Sequence, residues 1–282
     1  MLTLSDIHML GTHNSYHIAP KIRLYGAWSY SHLPLLEQLS TQNIRNLELD
    51  IYFRKNIFYV EHIPFFDSKS TCRTLEQCLV TLHSWSLENP HHSPIIIFLE
   101  LKDFDTNAHK TRYLTQLSSL LTQHIDASSW ITPSEVLETS DPTVPLSTHI
   151  TWPSLEGSRG HFLIAISALH TRSEALYSYV CATEDPRVLF VTSTTDQPFS
   201  KIRVYDNPIR DFSDIQEATS QGYLVRTRSD DMRDPRHNLF KQNRLQAAIK
   251  SGAQIISTDS PETVSKILED SFHLSFEDIF VF

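Results

Sequence analysis

The sequence predicts an α/β fold, a TIM-type (β/α)8 barrel with some irregularity and with its active site at the carboxyl ends of the strands. Three observations predict it. Short apolar runs alternate with helix-period patterns along the whole chain, as parallel strands joined by crossover helices require. The 282 residues suit one barrel of the roughly 250-residue class, so a single domain over 1–282 is expected. Clusters of histidine, acidic and basic residues fall where the apolar runs end, the face of a barrel that carries its chemistry.

In chain order, strands are expected over 7–12, 44–53, 94–102, 161–167, 187–193, 222–228 and 253–258, with one more hidden between 130 and 152. Leu75, Cys78, Leu79, Leu82 and Trp85 recur at helical spacing, as do Leu114, Leu117, Leu120 and Leu121, so both sets are read as outer helices packing on strands. Thr132-Pro133-Ser134-Glu135 reads as a capping box, and Ser260-Pro261-Glu262 as the start of the last helix. The stretch 138–160, with Pro142, Pro145, Pro153, Gly157 and Gly160, is read as a long loop.

Composition narrows the function. With 40% hydrophobic and 20% charged residues the chain can bury a substantial core. The net charge of -9 argues against nucleic acid as a partner and against tight electrostatic anchoring to an anionic membrane. No apolar run reaches the ~18 residues needed to span a bilayer, and the first residues lack a basic and apolar leader. Of the three cysteines, Cys72 and Cys78 flank the start of a helix. They leave two readings open: a bridge in a secreted or periplasmic protein, if Cys72 lies in the preceding loop, or free thiols in a cytoplasmic one.

Three strand ends carry the chemistry. Leu10-Gly11-Thr12-His13-Asn14-Ser15 breaks from an apolar run into polar side chains. In Arg45-Asn46-Leu47-Glu48-Leu49-Asp50-Ile51, strand periodicity puts Glu48 and Asp50 on one face and the leucines and Ile51 on the other. Two carboxylates about 6 Å apart repel by about 2 to 3 kcal/mol at an effective dielectric near 20, so a cation or a proton must resolve them. Pro94 to Lys102 is apolar enough for a strand buried on both faces, and it ends in Glu100 and Lys102. Asn14, Glu48, Asp50 and Glu100 offer only oxygen donors, which suits calcium, or magnesium in a smaller cavity, and disfavours zinc. His62, after Tyr59-Val60-Glu61, adds a second imidazole able to transfer protons at neutral pH.

Thr12-His13-Asn14-Ser15, Glu48-Leu49-Asp50, His62 and Leu99-Glu100-Leu101-Lys102 resemble, in order and spacing, the catalytic X region of the phosphoinositide-specific phospholipase C superfamily. The likeness is greatest to the bacterial calcium-dependent, single-domain members, and the tail segments 223–228 and 252–259 are similar more loosely. The resemblance implies a phosphoric diester hydrolase acting on a phospholipid at a membrane surface as a monomer. It also implies calcium ligands at Asn14, Glu48, Asp50 and Glu100, catalytic histidines at His13 and His62, and Glu48 or Glu100 as the base. His13 would bind the phosphoryl oxygens and His62 would protonate the departing glycerol oxygen, or the reverse.

Lys102, Arg226 and Arg228 are candidates for holding phosphate or inositol hydroxyls, since guanidinium matches phosphate bidentately. The two arginines have an alternative in ion pairs with Asp230 and Asp231. Asp259, ahead of Ser260-Pro261, is read as a helix cap, and His17 is left unassigned. His91, His92, His124, His170 and His237 are read as surface or core residues. Leu24, Tyr25, Trp28, Phe65 and Phe66 are expected either to touch a bilayer or to pack. Two other functions stay in view: a phospholipase D-like or glycerophosphodiester-cleaving barrel, and a silent phosphoinositide-binding barrel.

Overall fold

The computed structural model describes residues 1–20, 28–104, 110–136, 150–167, 189–192, 200–231, 237–273, 275 and 279–281. Among the described residues nine strands lie in chain order: β1 (Met9–Thr12), β2 (Asn46–Arg54), β3 (Ile57–Val60), β4 (Ile95–Leu101), β5 (Phe162–Ser167), β6 (Leu189–Val191), β7 (Ile202–Tyr205), β8 (Leu224–Arg228) and β9 (Ile255–Thr258). Eight run parallel in the order β6-β5-β4-β2-β1-β9-β8-β7, while β3 folds back antiparallel on β2. A lone bridge between Thr192 and Ile202 links the two outermost strands, so the eight form a nearly closed barrel. Around it run α1 (Leu35–Thr41), α2 (Leu75–Glu88), α3 (Lys110–His124), α4 (Pro133–Val136), α5 (Phe212–Ser220), α6 (His237–Lys250) and α7 (Pro261–Ile267).

Alternation along each strand sorts side chains into two cores. Leu47, Leu49, Ile51, Ile97, Leu99 and Ile164 face outward and pack with Leu75, Leu79 and Leu82 of α2 and Leu114 and Leu117 of α3. Met9, Ile96, Phe98, Leu163, Ile202, Leu224 and Ile255 face inward and fill the lower barrel. The inward positions nearer the strand ends are polar: Glu48, Asp50, Glu100, Arg226, Ser257 and Asp259 are all buried. Gly11 is needed where it stands, because a Cβ there would lie 2.4 Å from the Asn46 side chain across the β1–β2 register.

The further strand expected between 130 and 152 is not seen among the described residues of that span. The described residues there hold the short α4, its capping box closed by Thr132 N–H on Glu135 Oε2 at 2.6 Å, while 137–149 lie outside the described residues. The eighth parallel strand is β7 instead, whose Ile202 and Val204 belong to the inner core. Four alternating residues had been too short a signal to separate from loop. Cys72 does sit in the loop before α2, and Cys72 and Cys78 form a disulfide.

Candidate active site

The end of β1 delivers His13 and Asn14 to the barrel mouth. Asn14 adopts a left-handed backbone (φ 47°), a conformation asparagine tolerates better than most residues, and its Nδ2 donates to the Tyr30 hydroxyl at 3.1 Å. His13 Nδ1 lies 2.7 Å from Asp259 Oδ1, with the Tyr30 hydroxyl 3.2 Å away. Because a carboxylate only accepts, Nδ1 carries the proton and Nε2, 3.9 Å from Glu48 Oε1, keeps its lone pair. Burial and the nearby Arg228 and Arg226 guanidiniums hold the His13 pKa well below its ordinary value, outweighing Glu48 and Asp206.

Asp259 is thus a site residue, and its reading as a helix cap is corrected: Ser260 takes the N-cap position of α7. Its other oxygen accepts from Arg228 at 2.8 Å, and its backbone N–H donates to Asp230 at 3.0 Å. Burial depresses the Arg228 pKa, but Asp259 and Asp230 more than offset this and raise it. Arg228 is 4.0 Å from Asp230, so its nearer carboxylate is Asp259, not the neighbours expected from sequence. Arg226 pairs with Glu48 and donates to Asp206 Oδ1 at 2.9 Å.

The parallel register sets Asp50 opposite Glu100. Ligand atoms of Glu48, Asp50 and Glu100 lie within 4.8 Å of one another. Burial, then the Glu100 charge, pushes the Asp50 pKa well above the carboxylate range, with Lys102 opposing. Lys102 bridges the pair, its Nζ 2.9 Å from Asp50 Oδ2 and 2.8 Å from Glu100 Oε1, and the two carboxylates raise its pKa against the effect of burial. Neither Asp50 oxygen has a well-directed hydrogen bond among the described residues, although the Tyr16 hydroxyl is near. A buried carboxylate with oxygens left without full hydrogen bonding, beside two more oxygen donors, fits a hard divalent cation.

His62 follows β3, with Nδ1 2.8 Å from Asp67 Oδ2. Asp67 also meets His17 Nε2 at 2.9 Å, and His17 Nδ1 contacts the Tyr30 carbonyl at 2.9 Å. Tyr30 lies tilted against the His17 ring, centroids 4.5 Å apart, while its hydroxyl touches His13 and Asn14, so it joins the two histidine centres. Asp67, His17 and Tyr30 were not foreseen. The signal for Asp67 was an acid five residues past His62 behind a Pro-Phe-Phe turn; for Tyr30 the sequence holds none. Phe65 and Phe66 at that turn are 94% and 71% exposed, Trp28 lies edge-on to His62 at 6.0 Å, and Leu24 and Tyr25 lie outside the described residues.

A family model described as phosphoinositide phospholipase C, Ca2+-dependent, matches residues 2–56 and 53–281. No curated protein sequence matches the chain. Among solved structures, a calcium-dependent phosphoinositol-specific phospholipase C from Pseudomonas sp aligns at 17% identity and TM-score 0.65, over 92% of this chain and 90% of that one. A Ca2+-dependent phosphatidylinositol-specific phospholipase C from Streptomyces antibioticus aligns at 16% identity and TM-score 0.70, over 95% and 98%. One from S. aureus aligns at 10% identity and TM-score 0.52, over 92% and 86%. At these identities the three show a shared fold.

Proposed function

This chain belongs to the Ca2+-dependent phosphoinositide phospholipase C family and is a phosphoric diester hydrolase, and from that premise we propose that it cleaves the glycerol-phosphate ester of phosphatidylinositol. The products are diacylglycerol and a cyclic inositol phosphate, which water then opens. The observation that carries this reading is the buried triad Glu48, Asp50 and Glu100 beside an Asp259-bound His13. A silent binding barrel would have no need of such an arrangement.

Asn14, Glu48, Asp50 and Glu100 are the residues that would hold calcium. When bound, the ion supplies charge to stabilise the phosphoryl oxygens and to acidify the attacking hydroxyl. The chain's own groups then divide the proton work. His13 Nε2, bare because Nδ1 is committed to Asp259, accepts the proton of the inositol 2-hydroxyl as that oxygen attacks phosphorus. Glu48 and Glu100 are poorer bases here, since each already holds a cation, Arg226 and Lys102 respectively. His62, its Nδ1 on Asp67, gives a proton from Nε2 to the departing glycerol oxygen. The histidines exchange roles when water opens the ring.

Arg226 and Arg228 serve the reaction through Glu48 and Asp259 rather than by gripping substrate, and Lys102, beside Asp50 and Glu100, is the cation that would meet an inositol hydroxyl. The exposed Phe65 and Phe66 beside His62 suit contact with a lipid surface. The Cys72–Cys78 bridge suits a secreted or periplasmic protein. Product analysis on phosphatidylinositol vesicles, with calcium and with excess chelator, tests the reading. Cyclic inositol phosphate formed only with calcium supports it; release of phosphatidic acid, or turnover untouched by chelator, would falsify it.

A further inference from the structure

The structure assigns Asp67 and His17 a role as positioning residues for His62, a device that rests on the phospholipase reading but is visible in the resting protein. Ile63 and Asp67 form an antiparallel bridge, Ile63 N–H to Asp67 O at 3.0 Å and Asp67 N–H to Ile63 O at 2.9 Å, closed by the Pro64-Phe65-Phe66 tip. Phe65 accepts a left-handed backbone (φ 69°) at that tip, a conformation costly for an aromatic residue and kept only where surrounding contacts enforce it. The turn carries the Asp67 carboxylate back beneath the imidazole five residues earlier. Asp67 is 1% exposed and His17 is fully buried, so water competes with neither contact.

The hydrogen bonds dictate where the protons are. His17 Nδ1 faces the Tyr30 carbonyl, which only accepts, and His17 Nε2 faces both Asp67 oxygens, at 3.0 and 2.9 Å. One proton must lie between His17 and Asp67 as well, and His17 is a donor from both nitrogens. Hydrogen bonds from His17 and His62, working against burial, keep Asp67 ionised with a pKa of about 2. An ionised Asp67 can only accept from His62, so His62 Nδ1 is the donor and its Nε2 is the sole nitrogen open to substrate. Tyr30, Trp28 and His32 are the other rings packed around this pair.

The same carboxylate therefore has two duties. It fixes the His62 ring and tautomer through Nδ1, and it sets an anion on the side of the ring opposite the nitrogen that serves the leaving oxygen. His17 is what keeps that charge in place inside the barrel mouth, where an unpaired carboxylate would be costly.

Imidazole nitrogen-15 NMR on the unmutated, metal-free protein near neutral pH tests the assignment without activity. The expected spectrum has both His17 nitrogens protonated and neutral His62 as the Nδ1–H tautomer with a bare Nε2. A His62 protonated at Nε2 in its neutral form overturns the proposal, whether or not the protein hydrolyses phosphatidylinositol. Turnover gives the second arm. Asp67→Ala should lower kcat about 10²- to 10³-fold with KM within about threefold and should release the His62 tautomer bias. Asp67→Asn, which keeps an acceptor, should retain the Nδ1–H tautomer and still lose about tenfold or more in kcat through the missing charge. A folded Asp67→Asn protein with parental kcat, or a loss confined to KM, overturns the positioning role.

Discussion

The two histidines of the barrel mouth are held by carboxylates of different origin. His13 follows β1, and its partner Asp259 follows β9, the strand paired with it, 246 residues away. His62 hangs on a hairpin whose own base supplies Asp67, five residues on. The first pair is built into the barrel wall and backed by a buried guanidinium, Arg228. The second is a loop device backed by another imidazole. In the proposed mechanism the wall-held pair is the base. The loop-held pair is the proton donor there, and it lies beside the exposed Phe65 and Phe66.

The largest effect that can break this contrast is chemical. His13→Ala and His62→Ala should each reduce kcat on phosphatidylinositol by about 10³-fold or more. A synthetic inositol phosphodiester with a good phenolate leaving group should recover much of the His62→Ala loss and none of the His13→Ala loss. Equal recovery in both variants would mean that the acid and base assignments are wrong.

Next comes the wall. Arg228→Met leaves Asp259 and Asp230 buried without their cation, at a cost of about 3 to 5 kcal/mol, read as a fall in the urea midpoint. A parental midpoint would show that Arg228 is dispensable to the fold.

The third test separates the loop by pH. Asp67 is depressed to about 2 in the folded state, so it contributes stability that is complete above its unfolded value of about 4 and is lost as pH falls toward 2. Asp67→Asn should therefore flatten the decline of the urea midpoint between about pH 4 and pH 2 relative to the parent. An unchanged slope would place the acid sensitivity elsewhere. The smallest effect is at the surface: Phe65→Ser or Phe66→Ser should weaken vesicle binding about tenfold each, leaving hydrolysis of a soluble substrate unaltered.

Much of this was legible from the chain. The parity of Glu48 and Asp50 against Leu47, Leu49 and Ile51 assigns faces without any knowledge of neighbours, and the structure puts the apolar set in the outer core. The histidine motif, the two acidic strand ends and the helix-period leucines were local signals as well. Asp259 was misread because Ser260-Pro261 is an equally local signal for a helix start, and the strand position that aims its carboxylate inward carries no mark in the sequence. Strand β7 was missed because Ile202, Arg203, Val204 and Tyr205 alternate for too few residues.

The sequence by itself determined which residue types stand at the strand ends, because strand and helix periodicities are properties of a few consecutive residues. Only the closure of the barrel decided who meets whom: Arg226 on Glu48 across 178 residues, His13 on Asp259, Lys102 between Asp50 and Glu100. Those pairings turn on register and strand order, which are fixed by how the whole sheet packs, and they set which partner each candidate site residue meets.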